Sequence, residues 1–149
     1  MRNEAMQALD GLVGSWKVTL TDAWFLESPD VQLFGSARFE WLDDGFLVFR
    51  WTMEEEERSW STFVIGRSDA REGYVALTTD YRGVNRVFDM TFHDREWRMT
   101  REDPDFHQRF IATVGPDRIV AHSDASEDAG KTWRKDFDLI FERRRTEER

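Results

Sequence analysis

The amino-acid sequence predicts an all-β protein, a closed antiparallel β-barrel of about ten strands with a short N-terminal helix. Three observations carry this. Ten short segments of alternating apolar and polar residues follow one another from Trp16 onward, and such alternation marks strands with one buried face. Nearly every gap between them holds Gly, Asp or Pro, the residues that tight turns need. No helical pattern interrupts the series, which disfavours parallel crossovers and a doubly wound sheet. A small barrel can enclose one apolar molecule, so the pattern points toward ligand binding more clearly than toward any reaction.

At the start of the chain, Ala5, Met6, Leu9 and Leu12 recur at helical spacing, which predicts a short amphipathic helix from Asn3 to Leu12 that Gly11 and Gly14 break. Trp16, Val18 and Leu20 then alternate with Lys17, Thr19 and Thr21 as the first strand. Further strands are expected over Leu33 to Trp41, Phe46 to Met53, Trp60 to Arg67, Tyr74 to Thr79 and Asn85 to Phe92. The series continues with Glu96 to Arg101, His107 to Thr113, Arg118 to Ser123 and Thr132 to Glu142. Asp43-Asp44-Gly45 reads as a hairpin turn whose positive φ falls on the glycine. Glu54 to Glu57 read as a solvated hairpin tip, because four consecutive side chains of a strand cannot converge on one cation. Turns are expected at His93 to Arg95, Gly115 to Asp117 and Asp124 to Lys131, and residues 143–149 read as a frayed charged tail.

Residues 1–149 show no break in composition and read as one domain. Hydrophobic residues make up 40% and aromatics 14% of the chain, enough for a sizeable core despite the 34% charged content. The formal net charge of −9 opposes nucleic acid and anionic membrane as partners, since phosphate contacts need clustered cations. The absence of Cys removes disulfides, thiolate metal sites and cysteine nucleophiles. No apolar run has the length of a signal peptide or a membrane span, so a cytoplasmic protein without membrane insertion is expected. A homodimer through an edge or barrel wall is compatible with the sequence, which does not locate it.

Gly14-Ser15-Trp16 resembles the Gly-x-Trp signature of lipocalins and of the wider calycin superfamily. A second likeness lies in three segments: Tyr81-Arg82-Gly83-Val84-Asn85-Arg86-Val87-Phe88-Asp89-Met90, Phe106-His107-Gln108-Arg109-Phe110, and Trp133-Arg134-Lys135-Asp136-Phe137-Asp138-Leu139. These look like bacterial calycin-like β-barrels to which no chemistry is assigned. The resemblance implies a calycin-like barrel related to fatty-acid-binding and nitrobindin-like proteins. It also implies that the tryptophan plugs the closed end beneath the N-terminal helix, with an arginine of the last strand over it, a place that Arg143 or Arg144 would take. Nitrobindin-like members carry haem on a histidine after a glycine-rich early motif. This chain continues as Lys17-Val18-Thr19-Leu20-Thr21-Asp22 without those glycines, so haem is disfavoured and no cofactor is expected.

If the large apolar residues of the later strands face inward, Arg86 shares a face with Phe88 and Met90, Arg101 with Trp97 and Met99, and Gln108 with Phe106 and Phe110. These nine residues are the expected ligand-binding set. Arg86 and Arg101 would hold a carboxylate, enolate or phenolate while the apolar body lies on the aromatic and Met side chains. The competing reading is internal ion pairing of both arginines with Asp80, Asp89, Asp136 or Asp138. His93 falls in a turn, and His107 and His122 are out of phase with Phe106 and Ile119, so all three face outward and no metal site is expected. A one-residue register shift would instead turn Asp136 and Asp138 inward, and a buried carboxyl of raised pKa suits acid-base catalysis of the cyclase or isomerase type. Trp16, Trp41, Trp51, Trp60, Trp97 and Trp133 read as core and barrel-end packing, and Trp24 as part of a loop at the barrel mouth.

Overall fold

A computed structural model of the chain describes residues 3–54, 59–104 and 106–145. Helix α1 (Glu4–Gln7), capped by the Asn3 side chain on the Ala5 N–H, is followed by one 3-10 turn (Asp10–Leu12). The break makes the helix shorter than expected. It lets Met6, Leu9 and Leu12, each at most 1% exposed, all point into the barrel floor.

Ten strands follow: β1 (Gly14–Thr21), β2 (Leu33–Leu42), β3 (Phe46–Met53), β4 (Ser59–Arg67), β5 (Tyr74–Asp80), β6 (Asn85–His93), β7 (Glu96–Glu102), β8 (His107–Val114), β9 (Arg118–Ser126) and β10 (Arg134–Arg143). Each pairs antiparallel with the next, and β10 returns to pair with β1, closing the barrel. Closure leaves no strand edge to aggregate. Among the described residues no helix is long and apolar enough to cross a membrane.

Two local expectations need correction, and a third falls outside the described residues. In the β2–β3 hairpin the positive φ values fall on Asp43 (50°) and Asp44 (56°) rather than on Gly45. A primed turn needs two such residues, and Asp tolerates the conformation. The glutamate tip lies, from Glu55 to Glu57, outside the described residues. The tail does not fray from residue 143: Arg143 ends β10 and the Arg144 N–H donates to the Ser15 carbonyl at 2.8 Å. Residues 146–149 lie outside the described set.

The end of the barrel under α1 is sealed. Trp16 is fully buried and donates from Nε1 to the Leu12 carbonyl at 3.0 Å, Trp41 Nε1 reaches Asp10 at 3.2 Å, and the Tyr74 hydroxyl donates to the Ala5 carbonyl. The Arg143 guanidinium lies 4.2 Å from the Trp16 ring centroid. Its nitrogens donate to the carbonyls of Gly11 and Val13 at 2.7 Å and of Pro116 at 2.8 Å. The lid arginine that the resemblance implies is therefore Arg143.

Above this floor an aromatic layer crosses the barrel. Phe49 stacks between Phe39 and Phe63 at centroid distances of 4.5 and 4.3 Å, and Trp97 meets Phe39, Phe49 and Phe110 edge-on at 5.9, 5.6 and 4.8 Å. Each ring buried here contributes about 1.5–3 kcal/mol of transfer free energy, and edge-on pairs add about 1 kcal/mol. Two tryptophans expected in the core are elsewhere. Trp60 and Trp133 lie outside the barrel wall under the guanidiniums of Arg50 and Arg109, at 4.3 and 4.0 Å, where cation–π contact replaces burial.

Candidate functional site

The inner face changes character along the barrel axis. Below the aromatic layer its residues are sealed: Leu47, Ile65, Ala76 and Ile119 are 0% exposed. Toward the opposite end, Ser61, Thr78, Arg86, Gln108 and Phe137 are only half-buried. Alternation places them inside, because each continues the face of a buried residue on its own strand, as Arg86 does for Phe88 and Met90. This end of the barrel is its mouth.

The nine residues expected to bind a ligand occupy one wall formed by β6, β7 and β8, in two tiers. Phe88, Met90, Trp97, Met99 and Phe110 form the deep tier, and register joins Met90, Met99 and Phe110 in one row. Trp97 belongs to the packed aromatic layer, and no acceptor among the described residues meets its buried Nε1. Arg86, Arg101, Phe106 and Gln108 form the tier at the mouth.

That upper tier is a cluster. Arg101 stands opposite Gln108 on β8, and the Gln108 side-chain carbonyl accepts from Arg86 at 3.0 Å. Both guanidiniums lie over the Phe106 ring, at 4.8 Å for Arg86 and 5.0 Å for Arg101. Arg101 is only 8% exposed; it donates to the Phe106 carbonyl at 3.2 Å and has Asp103 at 2.8 Å. The ion pair of Arg101 is thus made within its own hairpin, by a residue that alternation did not single out. Of the four aspartates weighed as partners, three are engaged elsewhere: Asp80 with Arg82, Asp89 with Arg71, and Asp138 with Lys135.

The fourth, Asp136, is where the register reading and the structure part. The pairing of β10 with β9 slips between Lys135 and Phe137, a bulge that inserts Asp136 as an extra residue and re-aims its side chain. Asp138 stays on the outer face, while Asp136 sits at the mouth rim. There it accepts from Trp24 Nε1 at 2.7 Å, and its backbone carbonyl accepts from the Trp24 N–H. Burial pushes the Asp136 carboxyl above the usual carboxylate range, against the opposing pull of the Trp24 hydrogen bond and the charges of Arg134 and Arg86. Arg134 covers the other face of the same indole, 4.6 Å from its centroid. The loop between β1 and β2 is therefore tied to the rim through Trp24.

Opposite the arginine wall the mouth is apolar. Trp51 and Phe137 approach to 6.1 Å between centroids, with Leu33 partly buried beside them. The inner face at this end is thus cationic and hydrogen-bonding on one side and aromatic on the other. The three histidines lie outside it: His93, expected in a turn, is the exposed last residue of β6, His107 faces Trp133 across 6.4 Å, and His122 sits 3.8 Å from Asp124 on the outer face of β9. A haem ligated by an inward histidine does not fit this placement. Among the described residues no three His, Asp or Glu side chains converge as a metal site.

No family model matches the chain, and no curated protein matches it. The solved structure of Rv2717c from M. tuberculosis is similar to it over 97% of this chain and 100% of its own, with a TM-score of 0.72 and 12% sequence identity. At that identity the likeness shows the fold alone.

Proposed function

We propose that the protein is a single-domain calycin-like carrier of the cytoplasm, binding a small hydrophobic molecule with an acidic end in the open half of its barrel. The apolar body lies between the aromatic layer and the Trp51–Phe137 pair, and the anionic end meets Arg86 and Arg101. The observation that carries this reading is the placement of both guanidiniums over one ring, Phe106, at 4.8 and 5.0 Å, inside the mouth. Arg101 already meets Asp103 at 2.8 Å, and an anionic ligand end adds charge-assisted hydrogen bonds to both guanidiniums. Arg forks also match a carboxylate in two hydrogen bonds.

The test uses an aromatic sulfonate, 8-anilinonaphthalene-1-sulfonate, displaced by carboxylates of increasing chain length. Arg86→Met and Arg101→Met should each weaken the displacing carboxylate ~10-fold or more, the equivalent of about 1.5–3 kcal/mol for a charge-assisted contact. Unchanged affinity in both variants, with folding retained, removes the arginine site.

A second reading has its own observation, the bulge that sets a carboxyl of raised pKa at the rim within the field of Arg86. A proton donor or base beside an anion site suits an isomerase or cyclase. Turnover that is lost in Asp136→Asn while binding persists selects this reading over simple carriage.

A further inference from the structure

The outer face of β1, β2 and β3 gathers cations that the barrel interior does not use. Arg38 on β2 stands directly opposite Arg50 on β3, an arrangement that destabilises a sheet through like-charge repulsion. On the other side, Arg38 stands opposite Ser15 of β1, and Ser15 accepts the backbone N–H of Arg144. One row across the outer wall therefore reads Arg144, Ser15, Arg38, Arg50. The short serine leaves the space between the arginines open, and a groove of 1590 Å³ runs over the row, floored by Ser15, Ser36 and Thr52.

These arginines differ from those on the outer wall that are paired with acids. The protein has 30 acidic and 21 basic side chains, and Arg71, Arg82, Arg98, Arg109 and Arg134 each meet a carboxylate within 3.1 Å. Arg38 meets Glu40 only at 3.6 Å. Arg50 rests on the Trp60 ring, and the Arg144 Nε is buried without a hydrogen-bond partner. Among the described residues neither Arg50 nor Arg144 has a carboxylate at ion-pair distance. On a chain of net charge −9, ample acid is available to neutralise them, yet the fold sets them together.

We propose that this groove binds the di- or triphosphate group of a small molecule. Strands are spaced about 4.8 Å apart, so a single monovalent anion satisfies one or two of the guanidiniums, whereas linked phosphates bridge all three. Arg is the side chain whose planar fork suits such oxyanions. Glu40, Asp117 and Glu142 border the groove and repel a long anionic strand, which selects a compact ligand over nucleic acid. The site lies outside the barrel and is independent of the ligand held at its mouth.

The experiment is isothermal titration of the full chain with inorganic tripolyphosphate at low ionic strength, repeated with adenosine triphosphate. Saturable binding at one site is expected, weakened ~10-fold or more by Arg50→Gln and by Arg144→Gln, and weakened by added salt. Arg98→Gln, which breaks a surface pair with Glu96 on the far wall, should leave it unchanged. Circular dichroism melting confirms that the variants fold. Tighter binding of the nucleoside triphosphate than of tripolyphosphate assigns part of the recognition to the group that carries the phosphates, and equal binding assigns it to the phosphates alone. Absence of saturable binding at millimolar tripolyphosphate overturns the proposal, as does an equal loss in Arg98→Gln and Arg50→Gln.

Discussion

Asp136 shows how far a single side chain can depart from its sequence pattern. Alternation along Asp136, Phe137, Asp138 and Leu139 assigns both aspartates one face, but the bulge separates them: Asp138 pairs with Lys135 outside, and Asp136 is half-buried at the rim. Its folded pKa lies above the unfolded value, so the penalty for ionising it is absent below about pH 4 and grows as pH rises through the folded pKa. Asp136→Asn keeps an acceptor for Trp24 and removes that penalty. The variant should therefore melt a few degrees higher than the parent at pH 7, a gain kept small by solvent at the rim, and the gain should vanish near pH 3. Thermal melts at both pH values check this; a lower midpoint at pH 7 contradicts it. The mouth-tier residues Arg86, Arg101 and Gln108 were legible because Phe88, Met99 and Phe110 fix the phase of their strands. Asp136 was not, because a bulge depends on the partner strand, which the local pattern does not contain.

Among the elements, the strands were legible to within a few residues, and the deviations have physical causes. β9 runs on to Ser126 because Ser126 caps the following loop, accepting the Gly130 N–H at 2.9 Å and donating to Asp128 at 2.8 Å. Trp133, read as strand, leaves the ladder to lie under Arg109 instead. The row of arginines was illegible because it joins residues from β1, β2, β3 and the segment just after β10, and only cross-strand register brings them together. Strand β2 holds a further constraint at Gly35. A Cβ there would run into the Thr52 carbonyl oxygen and come within 2.8 Å of Met53 Sδ, so β2 and β3 pack closer than a side chain allows. Gly35→Ala should cost more than ~2 kcal/mol by overpacking, read as a fall in the denaturant midpoint. A loss below ~0.5 kcal/mol would mean that the β2–β3 contact yields easily.

At the scale of the whole molecule, one arginine joins parts of the chain that are otherwise separate. Arg143 binds carbonyls from the N-terminal turn and the β8–β9 connection while lying on Trp16. Arg143→Ala should lower stability by about 2–4 kcal/mol, since several charge-assisted hydrogen bonds and a cation–π contact go together. Arg143→Lys should restore only part, because an ammonium lacks the planar fork. Equal midpoints for parent and Ala variant would show that the lid adds nothing.

The return of β10 to β1 also sets a timetable. Every other strand pair joins neighbours in sequence, whereas this one brings Trp16 against Arg143, the most distant partners in the ring. Loop-closure entropy opposes such a contact until the intervening nine hairpin partners have shortened the effective loop. The curled meander therefore forms first, and the seam shuts late, at a rate of milliseconds to seconds rather than microseconds. The fluorescence of Trp16, buried only once that seam is made, is the natural clock for the last step.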